Sequence, residues 1–281
     1  MNCQVDVIII GDSRDGHEIL KKIATASPAI NIAFVSREFK NATTHDFLNV
    51  EYIKDEVLFT DYKNRLFGCY LKSGSRLYST HLIVASGLAY EPLKAGSKII
   101  TNAYNNVDNI PKTAKYSQAI VIGQNDSDVK FALAVAKKYK YVYFCMDFIG
   151  PQISDKNIQK LINVENIVVL PNTTITKFNI IEDDLSNIEL SNYSNLTCSA
   201  VFVKTPATPE TAFISDKLIE KDENGYLRVS KQAESTIVPK CYAVGTCATK
   251  TTQSMRNALI ENILNDFGGI TNAKSRTEKR K

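Results

Sequence analysis

The chain carries no C-x-x-C pair, only three histidines and no long apolar run, and each absence removes a class of function. Without C-x-x-C spacing there is no signal for a zinc ribbon or a local redox dithiol. His17, His45 and His81 lie on separate predicted elements and no G-x-S-x-G is present, which excludes a Ser-His-Asp hydrolase pattern. No G-x-x-x-x-G-K-[ST] follows a strand, so a P-loop is absent. No stretch approaches the roughly 18 apolar residues of a membrane-spanning helix. Charge of one sign is scarce as well. The net charge is +4, and the last eight residues, KSRTEKRK, hold five basic side chains against one acidic one. The rest is near neutral, so composition gives no case for a nucleic-acid surface. The six cysteines (Cys3, Cys69, Cys145, Cys198, Cys241 and Cys247) are scattered and read as small buried apolar side chains. The N-terminal MNCQVDVIIIGD has too short an apolar run for a signal core, so a cytoplasmic protein without membrane attachment is expected.

What is present is a design used twice. VDVIIIG (5–11) is an apolar run ending in glycine, the pattern of a strand buried on both faces of a parallel sheet. A turn, DSRDG, leads into a helical pattern with Ile19, Leu20, Ile23 and Ala24 on one face, and INIAFVS follows as a second buried strand. A little over a hundred residues later AIVIG (119–123), the turn QNDSD, the helix VKFALAVAKKY and the strand YVYFCMD (141–147) repeat the order. Strand-like runs fill 51–84 and 164–230, the latter including NIVVLP, SNIELS, AVFVKTP and GYLRVS. Near the end, CYAVG reads as a buried strand and Thr252 to Phe267 as an amphipathic helix stopped by Gly268 and Gly269. Asp183 and Asp184 sit in a loop and read as solvated. The polar tail 270–281 is expected to be disordered.

In this order the landmarks resemble the thioredoxin reductase branch of the two-dinucleotide-domain flavoproteins. Four carry the resemblance: the N-terminal glycine turn, LIVASG (82–87), the glycine turn after AIVIG, and CYAVGTCA (241–248) followed by a helix. The resemblance implies an α/β fold with two Rossmann-like dinucleotide-binding domains, the second inserted into the first. It places an FAD domain at 1–112 plus 236–281 and an inserted, degenerate NAD(P)-type domain at 113–235. It also implies a homodimer.

The candidate site residues follow from the same motifs. A diphosphate sits at a helix N-terminus, where free amides and the helix dipole face it, and the middle glycine of G-x-G-x-x-G allows close backbone approach. In the first loop Gly11 and Gly16 stand, while Ser13 replaces the middle glycine; Asp12 and Asp15 oppose a diphosphate and Arg14 favours it. Glu38, with Ser36 and Arg37 beside it, is the acidic residue placed to take ribose hydroxyls. Ala85, Ser86 and Gly87 stand where the family has Ala-Thr-Gly. Gly245 and Thr246 stand where it has Gly-Asp, and Cys247 and Ala248 follow. In the second loop Gly123 remains, with Asn125 after it, but Asp128 falls at the third glycine. Asp147, after the return strand, replaces the arginines that read a 2′-phosphate. NADPH is therefore disfavoured and a second, unphosphorylated dinucleotide stays open. The stretch where the family keeps its redox dithiol, 101–118, holds no cysteine. Family-type disulfide exchange needs an attacking thiolate and is not expected.

Three readings follow. The first is an FAD-binding oxidoreductase without dithiol chemistry, taking electrons from a ferredoxin-like protein or a flavin. The second is a non-catalytic relative, a nucleotide sensor or interaction scaffold. The third is an NADH-dependent enzyme that uses Asp147. No residue is assigned a catalytic role, and no metal site is expected.

Overall fold

The computed structural model describes residues 2–39, 47–105, 117–146, 153–181, 184–192 and 194–268. In chain order it opens with β1 (Asn2–Ile10), α1 (Arg14–Ala26), β2 (Ile32–Ser36), β3 (Val50–Lys54), β4 (Val57–Lys63), β5 (Leu66–Leu71) and β6 (Arg76–Val84). The middle holds β7 (Ala103–Tyr104), β8 (Gln118–Gly123), α2 (Asp126–Ala136), β9 (Tyr141–Met146), α3 (Asp155–Ile162), β10 (Ile167–Leu170), β11 (Ile175–Ile181), β12 (Asp184–Leu190), β13 (Asn195–Thr197) and β14 (Ala200–Phe202). It returns through β15 (Cys241–Ala243) and α4 (Gln253–Asp266). Two compact units result: Met1–Ala89 with Thr208–Lys281, and Tyr90–Ala207.

The terminal unit is built on a sheet of order β3-β2-β1-β6-β5-β4, with β15 also paired to β6. Strands β3, β2, β1, β6 and β15 run parallel, and β4, β5 and β6 form an antiparallel meander. Alternation explains why β1 is apolar throughout. Ile8 and Ile10 enter one core with Val57, Phe67 and Leu71, while Val7 and Ile9 enter the other with Ile19 and Ile23 of α1 and Leu259 and Ile263 of α4. Truncating any one of these buried aliphatics to alanine costs about 2–5 kcal/mol. The register sets the functional edge: Ile10 lies opposite Val35 and Val84, and Ala243 opposite Val84. The carboxyl ends of β2, β1, β6 and β15 therefore finish level.

The middle unit repeats the theme with a parallel sheet of order β7-β14-β8-β9-β10. Val129, Ala132 and Val135 of α2 and Leu161 of α3 pack with Val121, Val142, Phe144 and Phe202 of that sheet. An antiparallel sheet β11-β12-β13 completes it. Residues 208–235 belong to the terminal unit because Phe213, Ile214, Leu218, Ile219 and Leu227 bury into the meander core. Within them the expected strand GYLRVS does not form. Leu227 makes only single bridges to Lys221 and Ala248, because the chain turns tightly at Asp222, whose carboxylate accepts from the Asn224 and Tyr226 amides. The last helix is bounded as its pattern predicts, capped by Thr252, whose hydroxyl accepts from the Met255 amide. The tail 270–281 lies outside the described residues.

Candidate dinucleotide crevice

Three neighbouring parallel strands of the terminal unit each end in a glycine with a left-handed backbone. Gly11 follows β1 at φ 107°, Gly87 follows β6 at φ 76°, and Gly245 follows β15 at φ 78°. At Gly11 the reason is also steric. A Cβ there would sit 2.4 Å from the Ala85 carbonyl oxygen and 2.5 Å from Ser86 Cα. Gly16 lets α1 approach as closely, since its Cβ would be 2.8 Å from the Gly11 carbonyl oxygen and 3.1 Å from Ala85 Cβ. Gly11, Gly16, Ala85, Ser86, Gly87, Gly245 and Thr246 thus meet at the carboxyl edge of the sheet, where open α/β sheets take their ligands.

The polar groups around this edge are held by the chain itself. Ser13 has extended backbone angles and caps α1, its hydroxyl accepting from the Gly16 amide at 3.1 Å. A glycine there would leave that amide open; the serine satisfies one of the orphan donors every helix start carries. Asp12 bonds the His17 ring. Asp15 pairs with Arg256 from the first turn of α4, Oδ1 to Nη1 2.6 Å, and its other oxygen lies 2.8 Å from the place a Gly245 Cβ would take. No local pattern announces Arg256, which reaches the site only because α4 packs beside α1. Arg14 is exposed. Beyond β2, Ser36 donates to the Glu38 carbonyl at 2.8 Å, and Arg37 pairs with Glu210 and, at 3.3 Å, with Glu56. Glu210 is pinned to the β6 turn: its amide donates to the Gly87 carbonyl at 3.0 Å, and its own carbonyl accepts from Ser86 Oγ at 2.6 Å. Glu210, too, was not legible from the sequence.

Past Gly245, Thr246 is exposed, whereas Cys247 and Ala248 turn into the core. The Cys247 sulfur lies 3.2 Å from the Val244 carbonyl oxygen, and burial pushes its thiol up from the ordinary range. It belongs to a short 3-10 turn, Gly245–Cys247, ahead of α4, so no helix N-terminus acidifies it. All six cysteines are free, and only Cys3 is even partly exposed. Burial pushes Cys145 and Cys198 up to about 12 and Cys69 and Cys241 higher still. No cluster of potential metal ligands forms among the described residues.

The second loop is closed differently. Asn125 caps α2 in a reciprocal box, accepting from the Ser127 amide at 2.9 Å. The Asp128 carboxylate accepts from the Gln124 amide at 2.9 Å and the Asn125 amide at 3.1 Å. Its side chain is almost fully buried and pairs with Lys204 at 2.8 Å. An internal anion therefore holds the amides that a phosphate would need at this helix start. Asp126 is spent on α3: bonds from Asn157 and Ser154 hold its carboxyl below the usual range. Gly123 backs onto the Phe144 ring, which occupies the position a Cβ would take. Asp147 lies outside the described residues, as does most of 101–118.

Comparison with known proteins agrees with this architecture. The family described as pyridine nucleotide-disulphide oxidoreductase matches residues 3–261. Solved structures with the same fold include thioredoxin reductase from Lactococcus lactis, at 15% identity and TM-score 0.66 over 93% of this chain and 99% of that one. The T. acidophilum thioredoxin reductase matches at 15% identity and TM-score 0.66, covering 94% and 99%. HlmI matches at 17% and 0.58, covering 94% and 93%. No curated protein sequence matches. No described helix is long and apolar enough to cross a membrane.

Proposed function

The chain belongs to the pyridine nucleotide-disulphide oxidoreductase family and has the thioredoxin reductase fold, and from that premise we propose that it is an FAD-binding oxidoreductase whose middle unit no longer takes NADPH. The observation that carries the first half is the set of three left-handed glycines on adjacent strand ends, with Gly11 and Gly16 in contacts that no side chain permits. Those contacts leave a bare backbone edge beside the start of α1, and this fits a dinucleotide. The Arg14 and Asp15 amides at that start have no acceptor within the helix and would face the diphosphate. Gly87, Gly245 and Thr246 would line the path, and Glu38 would take ribose hydroxyls. FAD supplies the redox chemistry; the protein supplies binding and orientation.

The second half rests on Asp128. Its carboxylate fills the amide cradle of the middle unit, so a dinucleotide phosphate would have to displace a buried carboxylate. The sequence at the end of β9 offers Met146 and Asp147 where a 2′-phosphate needs cations. Electrons would then come from another donor, a ferredoxin-like protein or a second flavin. The absence of an accessible thiol pair fits a relative that does not exchange disulfides. The competing reading is a non-catalytic scaffold or nucleotide sensor, favoured by Ser13, which already caps the first loop as if no ligand were required. Visible absorbance of the purified protein after incubation with FAD separates the two. Retained flavin that neither NADPH nor NADH bleaches anaerobically supports the proposal. A colourless protein supports the scaffold, and bleaching by NADPH overturns the view of the middle unit.

A further inference from the structure

We propose that the ion pair between Arg37 and Glu210 is a latch across the mouth of the crevice, which must open for a dinucleotide to enter; this rests on the crevice being the FAD site. Arg37 stands just beyond the carboxyl end of β2, whereas Glu210 is fixed at the carboxyl end of β6 by its backbone bonds to Ser86 and Gly87. In the sheet β1 lies between them. The two anchor points are thus two strand spacings apart, about 10 Å. The bridge between their side chains passes from one side of Gly11 to the other. Gly11 itself is tied to the β2 side, its amide donating to the Val35 carbonyl at 2.8 Å, and touches Ala85 and Ser86 on the other. The two anchors of the ion pair therefore flank the strand that ends at Gly11, whose backbone is held from both sides. Arg37 also contacts Glu56, the residue before β4, at 3.3 Å, and Lys72 in turn pairs with Glu56 at 3.2 Å.

The latch is weak by construction. Arg37 is 57% exposed and Glu210 25%, and exposed pairs of this kind hold their partners only loosely. A closed crevice that opens at small cost suits a site that must exclude water until its ligand arrives.

Glu210→Gln keeps both backbone anchors and removes only the charge, so it tests the bridge without dismantling the turn. It should speed FAD uptake about two- to five-fold and raise amide hydrogen exchange across 11–16. Glu56→Gln removes a contact that does not cross β1 and leaves the Arg37–Glu210 bridge in place, so it should change neither. Raising the salt concentration, which screens exposed charges, should accelerate uptake by the wild-type chain and not by Glu210→Gln. Equal exchange and equal uptake in wild type and Glu210→Gln would overturn the latch. Raised exchange in Glu210→Gln with no FAD uptake by any variant would leave the latch standing and remove the flavin.

Discussion

Removing the carboxylate at Asp128 is the perturbation that probes the middle unit most sharply. In Asp128→Ala two loop amides lose a charged acceptor, and Lys204 loses its partner. Hydrogen bonds to a charged group contribute about 1.5–3 kcal/mol each, and an acid in the first helical turn about 0.3–1 kcal/mol more. Lys204 is 44% exposed, so water reaches its end of the pair and that contact adds little. Allowing water to take over one of the two amides, the loss is about 2–4 kcal/mol. For a chain of this size that lowers Tm by about 5–15 °C. Asp128→Asn, which keeps the shape and loses the charge, should fall between. Thermal unfolding monitored by circular dichroism reads both. The mechanism makes a second demand: inorganic phosphate should raise the Tm of Asp128→Ala, because the freed amides and Lys204 now accept an outside anion, and leave the wild type unchanged. A Tm drop below about 2 °C, or no response of the variant to phosphate, would refute the view that the carboxylate stands in for a ligand.

Further outcomes follow from the same structure. Gly11→Ala forces a Cβ against backbone in a left-handed conformation, so urea unfolding should show a loss of at least about 2 kcal/mol together with loss of any FAD retention. His81 is buried against Asp266 at 2.9 Å, and Lys240 also holds Asp266. Burial lowers the His81 pKa against the opposing pull of Asp266, so the folded state binds its proton less readily than the unfolded chain. Its contribution is complete above pH about 6.5 and is lost as pH falls below that value, so Tm should fall more between pH 7.5 and 5.5 in the wild type than in His81→Asn. The native protein should react slowly with a thiol reagent at every cysteine except Cys3, and quickly at all six once unfolded, as counted by absorbance of the released thiolate.

The fold was largely legible because its signals are local and repeated. The apolar run ending at Gly11 and its copy ending at Gly123 each require a strand buried on both faces, and the helix face Ile19, Leu20, Ile23 points to where each covers the sheet. The glycines of the candidate crevice were legible for the same reason. A glycine that closes a strand announces a turn, and three of them converge once the strands align. What stayed hidden is what long-range packing supplies. Arg256 and Asp15 are 241 positions apart and Arg37 and Glu210 are 173 apart, so no spacing rule connects them. GYLRVS misled because Leu227 and Val229 alternate like a strand's inward residues, yet they serve a loop that fills the meander core. Cys247 behaves as its composition suggested: the turn after Gly245 directs its sulfur into the core, where it packs as a small buried side chain.

We propose that the terminal unit keeps a working dinucleotide crevice while the middle unit has closed its own. Titrating the purified chain with FAD, with bound flavin separated and counted per chain, tests both halves at once. One FAD per chain, unchanged by Asp128→Ala and abolished by Gly11→Ala, is the expected outcome. Zero would contradict the crevice, and a value near two would contradict the closed middle unit.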